Sequence, residues 1–508
     1  MMKEKQTNRP VDIHGKPFSR FAMMALILTA TFAGVLMQTS LGTALPTLME
    51  SFDINLATAQ QATTWFLLAN GIMIPVSAYL TTKIPTRWLY MTAFTIILLG
   101  MAVSVLTPAR PEMWHMFLVG RILAAMGVGI TMPLMQVVMV NIFPADERGA
   151  AMGLGGLVVG MGPAIGPVLS GWILESPHHI LGMTLPNTWQ SIFYFPMLVL
   201  GISLLFSGFL IKDVVPNKDI KLDFVSLIES VIGFGFFLWG FTNVAAFGWL
   251  DTMNVVLPIM VGILFITIFI RRQLKLEEPF LNVRVFQNKQ FALTTLAIMM
   301  SMMAMMGVEM MLPTYLQNVH GMNAFHSGLV LLPGALVMGI MSPIAGRVYD
   351  RIGSRRLAAV GFSILAIGTL PFVFLTVEAP AQYITALYAL RMFGIAMVMM
   401  PLTASAMGAL PPEQASHATA SNNTARQISS AVVVALLTSV TQNVINTNKP
   451  SDALRAADPL QYANDFLNAS MSGFRISFML SLVFAIVGII VAYYLRPGRT
   501  RVIAAEVK

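Results

Sequence analysis

The chain contains no cysteine, and only 11% of its residues are charged. The first absence excludes disulfides, thiol catalysis and Cys-ligated metals. The second excludes an ordinary soluble protein, because 508 residues that are 56% apolar, with mean hydropathy +0.73, have no polar surface to spare. No nucleotide-binding P-loop is present, which argues against ATP as a direct energy source. Paired catalytic carboxylates, a Ser-His-Asp pattern and metal-spaced histidines are also missing. Neither an enzyme nor a metal or organic cofactor is therefore expected. The net charge of +8 raises the question of nucleic acid, but the basic residues are arranged by side of a membrane and form no patch.

What is present is a series of apolar stretches. A spanning helix needs about 20 mostly apolar residues. Fourteen such stretches occur, near 21–46, 57–82, 88–107, 113–143, 150–174, 188–211, 224–248, 252–270, 291–318, 324–346, 357–376, 381–410, 414–442 and 472–495. The first follows Lys3, Lys5, Arg9, Lys16 and Arg20 but is too long for a signal-peptide core, so it reads as a retained helix. Of 31 lysines and arginines, only Arg110, Lys449 and Arg455 fall in the loops of one side. Arg121, Arg391, Arg426 and Arg475 lie inside or at the edge of spans, and all the rest are on the other side. The positive-inside rule puts that richer side, and both termini, in the cytoplasm against the anionic inner leaflet. An even number of spans requires the same.

Two polar cytoplasmic linkers, around Lys212–Lys221 and Arg271–Pro279, divide the spans six, two and six. The expected organisation is a cytoplasmic segment 1–20, a six-helix bundle 21–211, linkers with two central helices 212–290, a second six-helix bundle 291–495 and a cytoplasmic tail 496–508. The bundles resemble each other. The fourth span of each carries an arginine followed by glycine and proline, as Arg121, Gly127, Gly129, Pro133 and Arg391, Gly394, Pro401. Basic residues follow the second span of each. Two parallel halves with a site between them at midplane form a transporter architecture. The outer segment from Gln442 to Ser472 reads as a polar loop holding a short amphipathic helix.

Two motifs are sharper. The cytoplasmic loop with Gly346, Asp350, Arg351, Gly353, Arg355 and Arg356 resembles the G-x-x-x-D-R-x-G-R-R gate motif of the major facilitator superfamily. There Gly346 would permit close helix approach, and Asp350 would sit near a helix N-terminus or pair with arginine. The fifth span carries Gly156, Gly160, Gly162, Pro163, Gly166, Pro167 and Gly171, and looks like the antiporter motif of drug:proton exchangers in that superfamily. Physically, glycines at spacing four make a packing face, and prolines loosen the backbone ladder. Phe143–Gly149, Leu222–Phe224, Pro279–Leu281 and Ser421–Gln427 extend the likeness to nearly the whole chain. Together they resemble the fourteen-helix drug:proton antiporter family, and within it a Gram-positive lincosamide and multidrug resistance branch. That likeness implies an all-α membrane protein of the major facilitator fold in a bacterial plasma membrane. The chain departs from its relatives at Met37, where many carry an acid, and at Gly42, Thr82, Ala124 and Ala125.

An ionised carboxyl is costly in hydrocarbon, so one placed there tends to be functional. Glu309, deep in the ninth span, is the better proton-coupling candidate, and Glu229 lies outside the two halves. Arg121 is the second candidate; unable to release its proton, it would tune an acid or hold water. Met302, Met305 and Met306 share a helical face with Glu309 and suit a promiscuous apolar pocket that would draw lipophilic cations. Gln38, Thr39, Asn70, Gln136 and Asn423 would line the cavity or bond across helices. The histidines His178, His179, His320 and His326 read as outer surface residues. The functional expectation is secondary active, proton-coupled antiport of lipophilic or cationic drugs by alternating access, in a monomer whose partners are lipid, substrate and protons. A dedicated exporter of one metabolite or lipid, and more remotely a non-transporting receptor or scaffold, are the alternatives.

Overall fold

In hydrocarbon no water can satisfy a backbone N–H or C=O, so an apolar chain must close its hydrogen bonds within helices. The computed structural model describes residues 10–54, 56–144, 147–180, 182–217, 223–277, 279–411 and 414–496. The first half contains α1 (Arg20–Thr39), α2 (Leu41–Phe52), α3 (Leu56–Lys83), α4 (Thr86–Leu106), α5 (Trp114–Ile142), α6 (Arg148–Glu175) and α7 (Ser191–Leu210). The central pair is α8 (Phe224–Phe247) and α9 (Leu257–Lys275). The second half contains α10 (Lys289–Asn318), α11 (Ala324–Ile352), α12 (Ser354–Val373), α13 (Ala381–Gly408), α14 (Ala415–Asn448), α15 (Asp452–Ala457) and α16 (Pro459–Tyr493). Fourteen helical segments among the described residues are long and apolar enough to cross a bilayer. Many hydroxyls inside them bond back to the preceding turn, as Thr31 Oγ1 does to Ile27 O (2.8 Å) and Thr369 Oγ1 to Leu365 O (2.6 Å), which meets those donors within the helix.

The expected duplication is visible in the packing. In the first half α1 meets α6 and α7, α3 meets α5, and α4 meets α5 and α7. In the second, α10 meets α14 and α16, α11 meets α13, and α12 meets α13 and α16. These are the same partnerships, helix for helix. One apolar core fills the first half and takes in Phe291, Tyr349, Leu357 and Met407 of the second, and another lies wholly within the second half. At the outer end of the first, Phe52, Trp114, Phe117, Trp189 and Phe193 form a cluster, with Phe52 and Trp114 centroids 5.3 Å apart and Phe117 edge-on to Trp189 at 5.2 Å.

Several local expectations need correction. The first span breaks at Ser40, whose N–H and hydroxyl both bond Leu36 O, and α2 then continues to Phe52. The gate segment is no loop: α11 runs through Asp350 and Arg351, and only Gly353, at φ +80°, separates it from α12. The outer segment after Gln442 is nearly all helix, because α14 reaches Asn448 and α16 already begins at Pro459 behind an Asp458 cap. A hairpin of β1 (His178–Ile180) and β2 (Met183–Leu185), which no periodicity announced, closes the outer end of α6. His178 stacks on Trp172 at 3.7 Å and its Nε2 lies 2.7 Å from Trp172 O, so it is a packed residue there. Residues 1–9, 145–146, 218–222 and 497–508, which carry parts of the terminal, motif and linker expectations, lie outside the described residues.

The central pair is tied at its cytoplasmic end. Asp223 caps α8 through the N–H groups of Val225 and Ser226 and takes a two-pronged bond from Arg272 of α9, at 2.9 and 3.0 Å. Partial burial works against its ionised form. The Arg272 guanidinium and the Ser226 hydroxyl and N–H outweigh that and hold the carboxyl down at about 2. Removing the side chain with Asp223→Ala is expected to cost about 1–2 kcal/mol of thermal stability, read as a lower unfolding midpoint. Because the folded carboxyl titrates below its ordinary value, this stabilisation is complete above that value and is lost only as pH falls towards about 2. An Asp223→Ala protein as stable as wild type at pH 7 would contradict the assignment.

Candidate functional site

Two arginines, one in each half, occupy equivalent places. Arg121 on α5 is 1% exposed and points its Nη1 at Met37 O of α1 (3.4 Å) and its Nε at Ala62 O of α3 (3.5 Å), with the guanidinium 4.4 Å over the Phe66 ring. Arg391 on α13 is fully buried and donates from Nη2 to Ala304 O of α10 (2.9 Å) and from Nε to Thr369 Oγ1 of α12 (2.8 Å). In both halves the arginine of the fourth span therefore donates to a carbonyl of the first.

The difference between the halves is the acid. Glu309 lies on α10, about 30 Å along the helix from its cytoplasmic start at 1.5 Å per residue, and so in the outer half of the membrane. The charge of Arg391 and the phenol of Tyr388 are within electrostatic reach of it. No ion pair closes between Glu309 and Arg391: Glu309 Oε2 and Arg391 Nη1 are each buried without a hydrogen-bond partner among the described residues. A carboxyl held near a fixed cation but not locked to it is one that can gain and lose a proton. Among the described residues Arg121 has no such acid beside it. Its Nη1 reaches the backbone carbonyl of Met37, whose own side chain offers no charge. The structure thus brings Glu309 to Arg391 and leaves Arg121, in the opposite half, with carbonyls and a ring. Tyr388 and Thr369 were missed by sequence reasoning. Tyr388, one turn before Arg391, was the available signal for the first. Glu229 is buried near the Asp223–Arg272 clasp of the central pair, outside both halves.

The methionine face divides. Met305 is in the core of the second half, with Met302 and Met306 packed against it. Other methionines come to the contact between halves: a Cβ placed on Gly156 would meet Met400, and one on Gly160 would meet Met338.

Two seams join the halves. Along one, α6 packs against α11 over its full length. At the cytoplasmic end Gly346 and Gly149 touch so closely that a Cβ on Gly346 would stand 2.0 Å from Gly149 O. Asp350 lies over the first turn of α6, its Oδ1 2.6 Å from the position of a Gly149 Cβ, where the positive end of the helix favours a carboxylate. Arg351 and Arg356 are exposed, and Arg355 stacks at 4.6 Å over Tyr493. At the outer end Gly171 meets Phe325. The antiporter glycines therefore serve two neighbours: Gly156, Gly160 and Gly171 face α11 or its half, while Gly162 and Gly166 face Val35 and Thr39 of α1. Pro167 is half-buried, and the Pro163 side chain lies outside the described residues.

The second seam, α3 against α14, is polar and is covered by α8. Asn423 Nδ2 donates to Gln136 Oε1 of the first half (3.0 Å), and Gln427 Nε2 to Leu67 O (3.3 Å). Asn70 is buried in α3 against Gly129, and Gln38 is half-buried in the last turn of α1. Thr39 is spent on a bond to Gly162 O (2.9 Å). Of the five polar candidates, the structure brings Gln136 and Asn423 together and holds the others apart on α1 and α3.

A sequence model described as Major Facilitator Superfamily matches residues 27–434. A Bacillus subtilis (strain 168) protein described as an uncharacterized MFS-type transporter, YcnB, is 40% identical over 95% of this chain and 97% of its own. A lincomycin resistance protein, LmrB, of Listeria innocua is 33% identical over 96% and 98% of the two chains. The multidrug export protein EmrB of Escherichia coli (strain K12) is 25% identical over 84% and 81%. Among solved structures, the proton:xylose symporter XylE superposes with TM-score 0.58 at 13% identity, covering 95% of this chain and 97% of that one. The human organic anion transporter MFSD10 superposes with TM-score 0.60 at 14% identity, covering 92% and 99%. At such identities these two structures speak for the fold alone.

Proposed function

Because this chain belongs to the Major Facilitator Superfamily, and is a multi-pass membrane transporter of that family by sequence and fold, we propose that it exports lipophilic small molecules in exchange for protons. The observation that carries the coupling is Glu309, a carboxyl deep in the membrane with Oε2 unpartnered beside an unpaired Arg391 Nη1. Protonation would neutralise the acid and remove its field from Arg391, whose other nitrogens fasten α13 to α10 and α12. Such a change in charge can bias two packings of the helices, which is what alternating access needs. The drug-export reading draws support from the printed names of LmrB and EmrB, together with the glycine-faced α6 at the seam. The Gln136–Asn423 bond across the second seam favours, as a second reading, a more selective exporter of one metabolite or lipid, since such a pair is matched by specific polar groups.

The test is dye efflux from proteoliposomes holding the wild-type protein under an imposed pH gradient. Efflux that follows the gradient, stops with a protonophore and needs no ATP is the expected result. Saturable transport of one compound class without dye efflux would select the second reading. Transport indifferent to the gradient would overturn proton coupling.

A further inference from the structure

Three arginines are buried within the transport halves, and their surroundings are unequal. Arg121 has two carbonyl oxygens and an aromatic face. Arg391 has a carbonyl, a hydroxyl and the nearby charge of Glu309. Arg426, on α14, has none of these. It is 9% exposed, its Nε is buried without a partner, and its Nη2 meets only Met399 Sδ at 3.9 Å. It takes no part in the ion pairs of the described residues. A guanidinium offers five donors and gives up none of its charge, so a buried one lacking an oxygen acceptor is expensive and needs compensation from elsewhere.

Its location says where the compensation would come from. Arg426 lies about 16 Å along α14 from the cytoplasmic end. It stands one turn beyond Asn423, which reaches Gln136 in the other half, and next to Gln427, which reaches Leu67. The same stretch carries two further buried hydroxyls without partners, on Ser421 and Thr424. Those two hydroxyls lie on nearly the opposite face of α14, so the unmet donors beside Met399 are those of Arg426 itself. Asn422 Oδ1 is a buried acceptor without a partner one turn before Arg426. With Glu309 within the field of Arg391, no free carboxylate among the described residues of this seam calls for a cation.

We propose that Arg426 is a substrate-binding residue that receives an anionic oxygen, so that the transported class is an apolar molecule bearing a carboxylate or a comparable acidic oxygen. This rests on the exporter reading and narrows it, away from the lipophilic cations that the sequence alone suggested.

The full-length protein in nanodiscs is titrated with three fluorescent probes that share one apolar body: dansylglycine (a carboxylate), its methyl ester (neutral) and dansylethylenediamine (an ammonium). The carboxylate is expected to bind at least about tenfold more tightly than the ester, and the ammonium more weakly than either. Arg426→Gln should bring the carboxylate down to the affinity of the ester and leave the ester unchanged, and Arg426→Lys should keep part of the preference. Should the variants fail to fold, competition on wild type decides: octanoate should displace dansylglycine and octylammonium should not. Equal binding of the three probes, or a carboxylate preference that survives in Arg426→Gln, overturns the proposal. Proteoliposomes separate the two readings. Gradient-driven movement of the ester or the amine without the carboxylate sinks the anion site and keeps the exporter. A protein that neither binds nor moves any of them sinks the exporter and the anion site with it.

Discussion

Glu309→Gln is expected to abolish pH-gradient-driven efflux, reducing it to the leak of protein-free liposomes, while substrate exchange without a gradient continues. Glutamine has the size and the carbonyl of glutamic acid but cannot titrate, so it imitates the protonated state permanently. Arg391 would keep its bonds to Ala304 O and Thr369 Oγ1, because neither depends on the acid. The fold is therefore retained, although losing the compensating charge of a buried arginine has a cost that can reach about 3–5 kcal/mol. Exchange controls for that cost, since it requires a folded protein that alternates but no net proton movement. Glu309→Asp should retain a measurable, slower gradient response. If Glu309→Gln followed the gradient as wild type does, the proton site would lie elsewhere, and Glu229, buried near the Asp223–Arg272 clasp, would be the next acid to replace.

The second large effect concerns the outer end of the α6–α11 seam. A Cβ built on Gly171 stands 3.4 Å from Phe325 Cβ, close to the separation of two disulfide-linked Cβ atoms, about 3.5–4.5 Å. The double substitution Gly171→Cys with Phe325→Cys is expected to form a disulfide under mild oxidant and to stop transport almost completely, with recovery on reduction. The natural chain has no cysteine, so any cross-link is the engineered one and reductant acts on nothing else. Loss of transport follows if the outer seam must part for substrate to leave. Each single substitution serves as a control for the bulk added at Gly171. A cross-linked protein that transports at the wild-type rate would show that opening uses the other seam, between α3 and α14, or a lateral route.

Those seams are built differently despite the repeat that relates them. Glycines let α6 and α11 touch backbone to backbone, whereas α14 meets α3 through amide side chains, and α8 fills in beside them. A Cβ on Gly71 of α3 would stand 2.6 Å from Leu238 of α8 and 3.1 Å from Gln427 of α14. The central pair is thus in contact with both halves where they meet, and it is clasped by Asp223 and Arg272 at the cytoplasmic end.

Much of this was legible in the chain. Helix number, the division into halves and the side of each loop follow from length, hydropathy and the placement of lysine and arginine, because lipid leaves a backbone few options and a basic loop few sides. The equivalence of Arg121 and Arg391 was visible as a repeated pattern of arginine, glycine and proline. Corrections came where local pattern competes with packing. The gate motif, rich in charge, reads as a loop, yet contact with α6 holds it in α11.

Sequence by itself determined that the chain crosses a membrane fourteen times, in which orientation and as which repeated units, since these depend on the apolar and charged character of each segment taken alone. Only the tertiary structure decided who answers each buried charge: Arg391 for Glu309, carbonyls and a ring for Arg121, and, among the described residues, no oxygen for Arg426. A side chain's partner in hydrocarbon is set by which helices meet and at what rotation. These residues are separated by tens to hundreds of positions, and nothing in the local pattern around any one of them carries that information.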